Sequence, residues 1–528
     1  MTKRTILVVI LLAMLVSSQG YAEIEISPLN QVGPTIQRWG WDIKAWPTRL
    51  NSVSEANFLF NQTSANLLRV PIFANAHDED GSVDGSDYTN EVLAMRSVQV
   101  VNPEAEIFAS LKLLGADTYP DWLGDGTADW PQSNGNIFGN TVERPNPERY
   151  AGLLADYVEY MQGQGVQIDY LGINNETDTA LGVNRYIATI DLLEAELISR
   201  GVPQQYRDFQ YVGPDTFGLN SARNIVEDIA DLNRLDTVDI VGSHFYPQHS
   251  SGNESRWSDI SQITGGAPMW HTEVHMPVGH ADYVDDRQQA YRDTLSLLFA
   301  SNKRGVDSFV WWDSGHETNK INDSIKREIN NTTIHAHAVE TLPGFTAKDD
   351  PNDEPLFQAF INEDLMTLWI ANPGDAIFFE EVDLGDAVAI SDPTSIFWQG
   401  TDLTITASNT GNLDILVGAD GNLLINEIPA DATMFLQFRF ELGEGDYNRD
   451  GLVDLTDYAL WTDTFGSVDS LLADGNNDGI VDAADYTIWR DAFEATNTVP
   501  EPASGMIATL LFGASLMLTR RKRTGRTG

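Results

Sequence analysis

The sequence predicts an α/β chain: a (β/α)8 TIM barrel followed by an antiparallel β-sandwich and a small helical calcium module. Three observations predict it. Eight short apolar strands alternate with helix-period segments up to about residue 335, the next hundred residues alternate apolar and polar positions between turn signals, and two acidic segments repeat each other at an interval of 28 residues. The expected boundaries are 1–22 for an N-terminal apolar segment, 23–340 for the barrel, 341–442 for the sandwich, 443–495 for the small helical module and 499–528 for a C-terminal segment with an apolar run and basic tail.

The barrel comes first. Strands are expected near Ile36 to Asp42, Asn66 to Pro71, Glu106 to Lys112, Asp169 to Asn174, Gln210 to Pro214, Val238 to Tyr246, Pro268 to Glu273 and Asp307 to Asp313. Between them, Pro147 to Gln162, Asn184 to Arg200, Ala222 to Asn233 and Asp285 to Ser301 carry apolar residues three and four apart, the helix period. Residues 340 to 440 contain strand-like runs at Leu365 to Ile370, Ala376 to Val382, Leu413 to Val417 and Met434 to Phe440. Asn372-Pro373-Gly374, Gly411-Asn412 and Ala419-Asp420-Gly421 supply the turns.

The 28-residue repeat has its own chemistry. Asp446, Asn448, Asp450, Leu452, Asp454 and Asp457 match Asp474, Asn476, Asp478, Ile480, Asp482 and Asp485. Oxygen donors at positions 1, 3, 5, 9 and 12, a backbone carbonyl at 7 and Gly at 6 form a loop that wraps a hard calcium ion. Each loop leads into one clear helix, and Asp stands at position 12 where an EF-hand has Glu. Those features resemble the dockerin type I family, which implies a structural Ca2+ module and a cohesin-like or cell-surface partner. After the ninth-place Asp, however, stand Leu455-Thr456 and Ala483-Ala484, not the hydroxyl pairs typical of cohesin readers.

Charge excludes one class of partner. With 78 acidic residues against 32 basic ones the chain carries −46 at neutral pH, so nucleic-acid phosphates would repel it. Eleven Asp and two Arg in 446–493 account for −9 of that total. With no cysteine there is no disulfide, thiolate metal site or Cys nucleophile. Lys3 and Arg4, the apolar run Ile6 to Val16 and small residues up to Ala22 read as a cleavable signal. Val499-Pro500-Glu501-Pro502, the apolar stretch Ala503 to Leu518 and the cluster Arg520 to Arg523 resemble the Pro-Glu-Pro sorting signals of bacterial exported proteins. That resemblance implies transient membrane insertion of a C-terminal helix and an extracellular or surface location.

In a (β/α)8 barrel the reactive groups sit at the C-terminal ends of the strands. The fourth strand ends in Asn174-Asn175-Glu176 and the seventh in Trp270-His271-Thr272-Glu273, which places two glutamates across the mouth from each other. Glycosidic cleavage needs such a pair, one carboxyl to protonate the leaving oxygen and one to attack or to activate water. The spacing His271-x-Glu273-x-His275 differs from the zinc-protease helix, where Glu directly follows the first His.

Over residues 30 to 440 these motifs resemble the retaining glycoside hydrolases of clan A, most closely family 30. The resemblance implies a side domain completed by a strand from ahead of the barrel, which Glu23 to Ser27 could supply. The resemblance implies Glu176 as acid/base and Glu273 as nucleophile. It implies Arg69 as the group steadying the nucleophile, Tyr246 as the aromatic after strand six, and Trp311 or Trp312 as the strand-eight aromatic. Asn175 can hydrogen-bond a sugar 2-hydroxyl, Arg69 would hold Glu273 ionised, and Glu176 would need a raised pKa. His244 and Trp270 are further candidates for the cleft, and Trp41 is one of several aromatics, with Trp39, Trp46, Tyr119, Trp122, Trp130 and Trp257, that could stack on sugar rings. The expected function is secreted, retaining cleavage of a β-linked polysaccharide such as xylan or β-glucan, with no catalytic cofactor. An agarase or porphyranase of clan A and a non-catalytic carbohydrate-binding surface protein are the alternatives.

Overall fold

The computed structural model describes residues 23–44, 50–112, 120–126, 144–176, 181–244, 246, 253–275, 287–312, 320–343, 355–385, 387–400, 410–418, 421–442, 445–448, 453–468, 470, 472–476 and 478–496. The expected N-terminal signal and C-terminal sorting segment lie outside these, as do Trp46, Tyr119 and Trp130. Among the described residues no helix is long and apolar enough to cross a membrane. The chain divides into two units, 1–384 with 389–440, and 441–528 with 385–388.

In the first unit β1 (Glu23–Gln31) precedes eight parallel strands that close a barrel in chain order: β2 (Arg38–Asp42), β3 (Leu67–Ile72), β4 (Glu106–Leu111), β5 (Tyr170–Gly172), β6 (Gln210–Thr216), β7 (Ile240–His244), β8 (Met269–Val274) and β9 (Val306–Trp311). Each falls within a few residues of its expected position. The alternation of side chains along a strand sends every second residue inward. Leu67, Phe108, Tyr170, Val212, Ile240, Trp270 and Val310, one from each of β3 to β9, form a buried cluster of their own. On β2 the matching residue is Gly40, where an added Cβ would come within 3.0 Å of the Leu67 carbonyl oxygen and 3.2 Å of Val310.

Helices pack outside. Pro147–Gly163 shows why: Pro147 occupies its first turn, Asn146 caps it by accepting from the N–H groups of Glu148 and Arg149, and Tyr150, Leu153, Leu154, Tyr157, Val158 and Met161 bury one face. Thr89–Val101, Ser255–Thr264 and Lys320–Thr333 are helices the periodicity did not single out. In Ser255–Thr264 only Trp257 and Ile260 are buried, too sparse a stripe to read.

The expected sandwich is one continuous sheet. Its hydrogen-bonded order is Thr410–Gly411, Thr394–Gln399, Ala432–Leu442, Leu365–Asn372, Leu356–Asn362, His337–Pro343, β1, Ile377–Asp383, Leu423–Ile428 and Ile415–Val417. Its pairings along this path are antiparallel except that of β1 with Ile377–Asp383. β1 thus joins two strands that follow the barrel. Helices of the barrel brace this sheet. Trp369 Nε1 donates to Thr332 Oγ1 at 2.9 Å, Gln288 Nε2 donates to the Gly400 carbonyl at 3.0 Å, and Phe299 meets Phe360 at 5.1 Å.

The second unit contains helices Leu455–Thr464 and Ala483–Thr496 around a small core of Tyr447, Ala473, Val481 and Trp489. Its two repeats are reciprocally tied: Trp489 Nε1 donates to the Asp454 carbonyl at 2.8 Å, and Trp461 Nε1 to the Asp482 carbonyl at 2.7 Å.

Candidate active site

Directly above the apolar layer the barrel interior turns polar. Asp42, Arg69, Ser110, Asp215 and Thr272, all completely buried, form its first polar layer. Arg69 is the hub. Its Nη1 reaches Glu273 Oε1 at 2.6 Å, the Thr272 carbonyl at 2.8 Å and Asp42 Oδ2 at 3.2 Å. Its Nη2 reaches Asp215 Oδ2 at 2.5 Å, Ser110 Oγ at 2.8 Å and Asn175 Oδ1 at 2.9 Å. Asp215 also accepts from Thr272 Oγ1 at 2.5 Å.

Glu273 stands one level higher and is 3% exposed. Beyond Arg69, its Oε1 is 2.8 Å from Lys44 Nζ and 3.3 Å from His244 Nε2, and its Oε2 accepts from Tyr246 Oη at 2.5 Å. Burial alone would raise this carboxyl; His244, Lys44 and Arg69 outweigh it and hold Glu273 down at about 2. Asp215 is held far below the ordinary carboxylate range against its own burial, mainly by Arg69 and His244. Burial lifts Asp42 to about 6 in spite of Lys44 and Arg69. His244 is pushed up to about 9, because Glu273, Asp215 and Glu176 outweigh its desolvation. The fully enclosed charges therefore balance: three carboxylates, Asp42, Asp215 and Glu273, against Lys44, Arg69 and a protonated His244.

Glu176 lies at the rim with its side chain 24% exposed, and its Oε1 is 2.9 Å from His244 Nδ1. One oxygen of Glu176 lies within 4.8 Å of one oxygen of Glu273. The backbone is bent to bring them there. Glu176 and Asp215 both adopt left-handed φ, +54° and +50°, a geometry that costs a non-glycine residue about 1 kcal/mol or more. Two bonds hold the bend: Glu176 N–H donates to the Asp215 carbonyl at 3.0 Å, and Asn174 Nδ2 to the Pro214 carbonyl at 2.6 Å.

Thus the structure brings together Glu176, Glu273, Asn175, Arg69, Tyr246 and His244. Trp312 is half-buried beside them, its ring 5.2 Å from His275, which in turn edges Tyr246. Three expected sugar contacts need correction. Trp270 points inward but one layer too deep, edge-on to Phe108 and Tyr170 beneath the polar floor. Trp41 and Trp311 point outward from the barrel. Trp41 Nε1 donates to the Leu59 carbonyl at 3.0 Å, and Trp311 stacks on Trp39 at 5.2 Å while its Nε1 donates to Asn330 at 2.8 Å. Period-2 alternation gives the reason: with Gly40 and Val310 facing inward, their neighbours Trp41 and Trp311 must face the helices. Trp39 and Trp257 are likewise core, and Trp122 is only partly buried, its Nε1 donating to the His77 carbonyl at 3.2 Å.

Sequence reasoning missed Asp42, Lys44, Ser110, Asp215 and Thr272. Parity was the available signal for most: Asp42, Ser110 and Thr272 each lie two residues beyond an inward position on the same strand, at Gly40, Phe108 and Trp270. Lys44, beyond the end of β2, carries no such signature.

In the second unit Asp457 and Asp485 are fully buried, and Asp446 and Asp474 nearly so. Asp457 accepts from the N–H groups of Asn448 and Asp454, both at 2.8 Å. Asp485 accepts from those of Asn476 and Asp482, at 3.2 and 2.7 Å, the same pair of positions in the second loop. Asp474 accepts from Asp478 and Gly479, and Gly479, at loop position 6, has φ +89°. These oxygen-rich turns, including Asn476, Asp478 and the Ile480 carbonyl position, fit a hard cation. Asp450 and Leu452 lie outside the described residues.

No protein-family model matches the chain. Glucuronoxylanase XynC of Bacillus subtilis is 23% identical over 180 residues, 34% of this chain. The aligned region spans 40% of that relative's length. Among solved structures, a GH30 endoxylanase from Clostridium papyrosolvens C71 superimposes with TM-score 0.56 at 17% identity, covering 79% of this chain and all of that one. A family 30 subfamily 8 xylanase from Clostridium acetobutylicum gives 0.56 at 16% identity, covering 79% and 99%. At these identities the likeness establishes a shared fold, the barrel with its attached sheet.

Proposed function

We propose that the barrel unit is a retaining glycoside hydrolase that cleaves a β-linked polysaccharide by double displacement. The observation that carries this is the pair of carboxylates. Retaining enzymes hold their carboxyl groups about 5 to 5.5 Å apart, whereas inverting enzymes leave about 6.5 to 9.5 Å for a water. The closest approach, one oxygen of Glu176 within 4.8 Å of one oxygen of Glu273, accords with the first geometry.

In the first step a Glu273 oxygen bonds to the anomeric carbon, the glycosidic C–O bond breaks, and Glu176 gives its proton to the departing oxygen. Water then attacks the same carbon from the opposite face, Glu176 takes its proton, and Glu273 leaves as a carboxylate. Asn175 Oδ1 is taken up by Arg69 and Lys44, which leaves its amide NH2 to donate to the sugar 2-hydroxyl. The names of the relatives support xylan as the first polymer to try, with β-glucans next.

Reducing-sugar release from xylan, mixed-linkage β-glucan and agar, by wild type and Glu273→Gln in parallel, tests the proposal. Activity on one polymer that disappears in the variant supports it. If both proteins are inert on every polymer yet one is bound, the chain is a carbohydrate-binding protein instead.

We also infer that the second unit binds two calcium ions through the loops beginning at Asp446 and Asp474, and that the chain is exported through its N-terminal signal. The matched N–H donors around Asp457 and Asp485 support the first inference. Calorimetric titration of calcium gives two sites if it holds and no heat if it does not.

A further inference from the structure

Lys44 is the least expected member of the barrel mouth. It lies two residues past β2 and is 5% exposed, and its own N–H donates to Asp42 Oδ1 at 2.6 Å. Its Nζ then falls between two groups of the reacting centre, 2.8 Å from Glu273 Oε1 and 2.6 Å from Asn175 Oδ1. Asp42 Oδ2 is farther away, at 3.8 Å.

We propose that Lys44 is a positioning residue with two separable effects: it fixes the Asn175 amide with its NH2 toward the sugar, and it keeps Glu273 ionised. The proposal rests on the double-displacement reading and deepens it.

The first effect follows from hydrogen-bond polarity. Asn175 Oδ1 accepts from both Arg69 Nη2, at 2.9 Å, and Lys44 Nζ, at 2.6 Å. Flipping the amide would put its NH2 donors against two cations, which offer no acceptor. Arg69 Nη2 is already divided between Asp215 and Ser110, so the shorter Lys44 bond is the more specific anchor.

The second effect follows from charge. Glu273 is faced by Lys44 from the end of β2, Arg69 from β3, Glu176 from beyond β5, Asp215 from β6, and His244 and Tyr246 from β7 and the residues after it. Asp42 is reached through Lys44 and Arg69, and the partly buried Lys112, just past β4, also acts on Asp42 and Lys44 from outside the enclosed set. Three enclosed carboxylates are neutralised by three cations, so removing Lys44 leaves one negative charge without a counterpart. Some carboxyl must then hold its proton to a higher pH.

Three variants of the full chain separate the effects. Lys44→Gln removes the charge but can still donate to Asn175, Lys44→Met removes both, and Lys44→Arg keeps the charge. Each is assayed on an aryl β-glycoside of the sugar that wild type cleaves and on its 2-deoxy analogue. The acid limb of the kcat/KM profile should move up by about 1 pH unit in Lys44→Gln and Lys44→Met and return toward wild type in Lys44→Arg. Preference for the 2-hydroxylated substrate should fall about tenfold in Lys44→Met alone. Unmoved acid limbs with unchanged 2-hydroxyl preference overturn the proposal, and so does failure of both uncharged variants to fold, which would make Lys44 a structural residue. If wild type cleaves no glycoside, the hydrolase reading falls by itself. Lys44 is then judged by 13C NMR titration of labelled glutamate carboxyls, where a Glu273 midpoint in Lys44→Gln equal to that of wild type overturns the charge effect.

Discussion

Replacing Arg69 with methionine keeps most of the side-chain volume and removes the hub of the barrel mouth. In wild type the four N–H bonds on the two Nη atoms of this guanidinium are shared among six acceptors, three of them the carboxylates of Asp42, Asp215 and Glu273. Without it those three carboxylates face only Lys44 and His244. Removing one partner from a buried ionic group costs about 3 to 5 kcal/mol, because the abandoned charge stays out of water. At about 2 °C per kcal/mol for a chain of this size, the barrel should melt roughly 6 to 10 °C lower at pH 7.5. The loss should depend on pH in a definite direction. Glu273, held at about 2, is depressed below its unfolded value, so it contributes stability above that value and loses it as pH falls through about 2. In Arg69→Met that depression shrinks. Asp42, already lifted to about 6 by burial, takes a proton as pH drops and relieves the uncompensated charge. The deficit should therefore narrow between pH 7.5 and 5.0, read by scanning fluorimetry at the two pH values. A variant that melts within about 2 °C of wild type at both would refute the idea that Arg69 neutralises an enclosed cluster.

Other expectations follow from the same geometry. Trp270→Ala opens a hole in the apolar layer and should cost about 3 to 5 kcal/mol of stability, seen in urea unfolding, whereas Trp312→Ala should leave the unfolding curve in place and raise KM. His244, raised to about 9, adds stability that is complete below its unfolded pKa of about 6.5 and is lost as pH climbs through about 9. Wild-type melting temperature should accordingly fall between pH 7 and 9.5, and His244→Gln should flatten that slope. If the second unit binds calcium as proposed, chelation with EGTA should lower its calorimetric transition and leave the barrel transition where it is, while Asp474→Ala should weaken calcium binding without added chelator.

Legibility in the sequence followed the physics of each signal. Parallel barrel strands are short apolar runs at regular spacing, so all eight were found near their true places, and the glutamates at the ends of β5 and β8 came with them. Aromatic residues misled because ring chemistry looks the same in a core and in a cleft; Trp41 and Trp311 are separated from the mouth only by strand parity. Asp42 and Asp215 went unnoticed because a buried carboxylate declares itself through its partner, and Arg69 touches both only after the barrel closes. The strand ahead of the barrel was anticipated at Glu23 to Ser27 only through the family resemblance; β1 is separated from its partners in the sheet by the length of the barrel, and no local pattern records which strands it pairs with.

The central claim is that Glu176 and Glu273 work at retaining distance. Proton NMR of the first product formed from a cleavable β-glycan reads this directly, because the anomeric signal appears before mutarotation scrambles it. The account predicts the β-anomer first. An α-anomer appearing first would contradict it, and would make Glu273 a base that activates water.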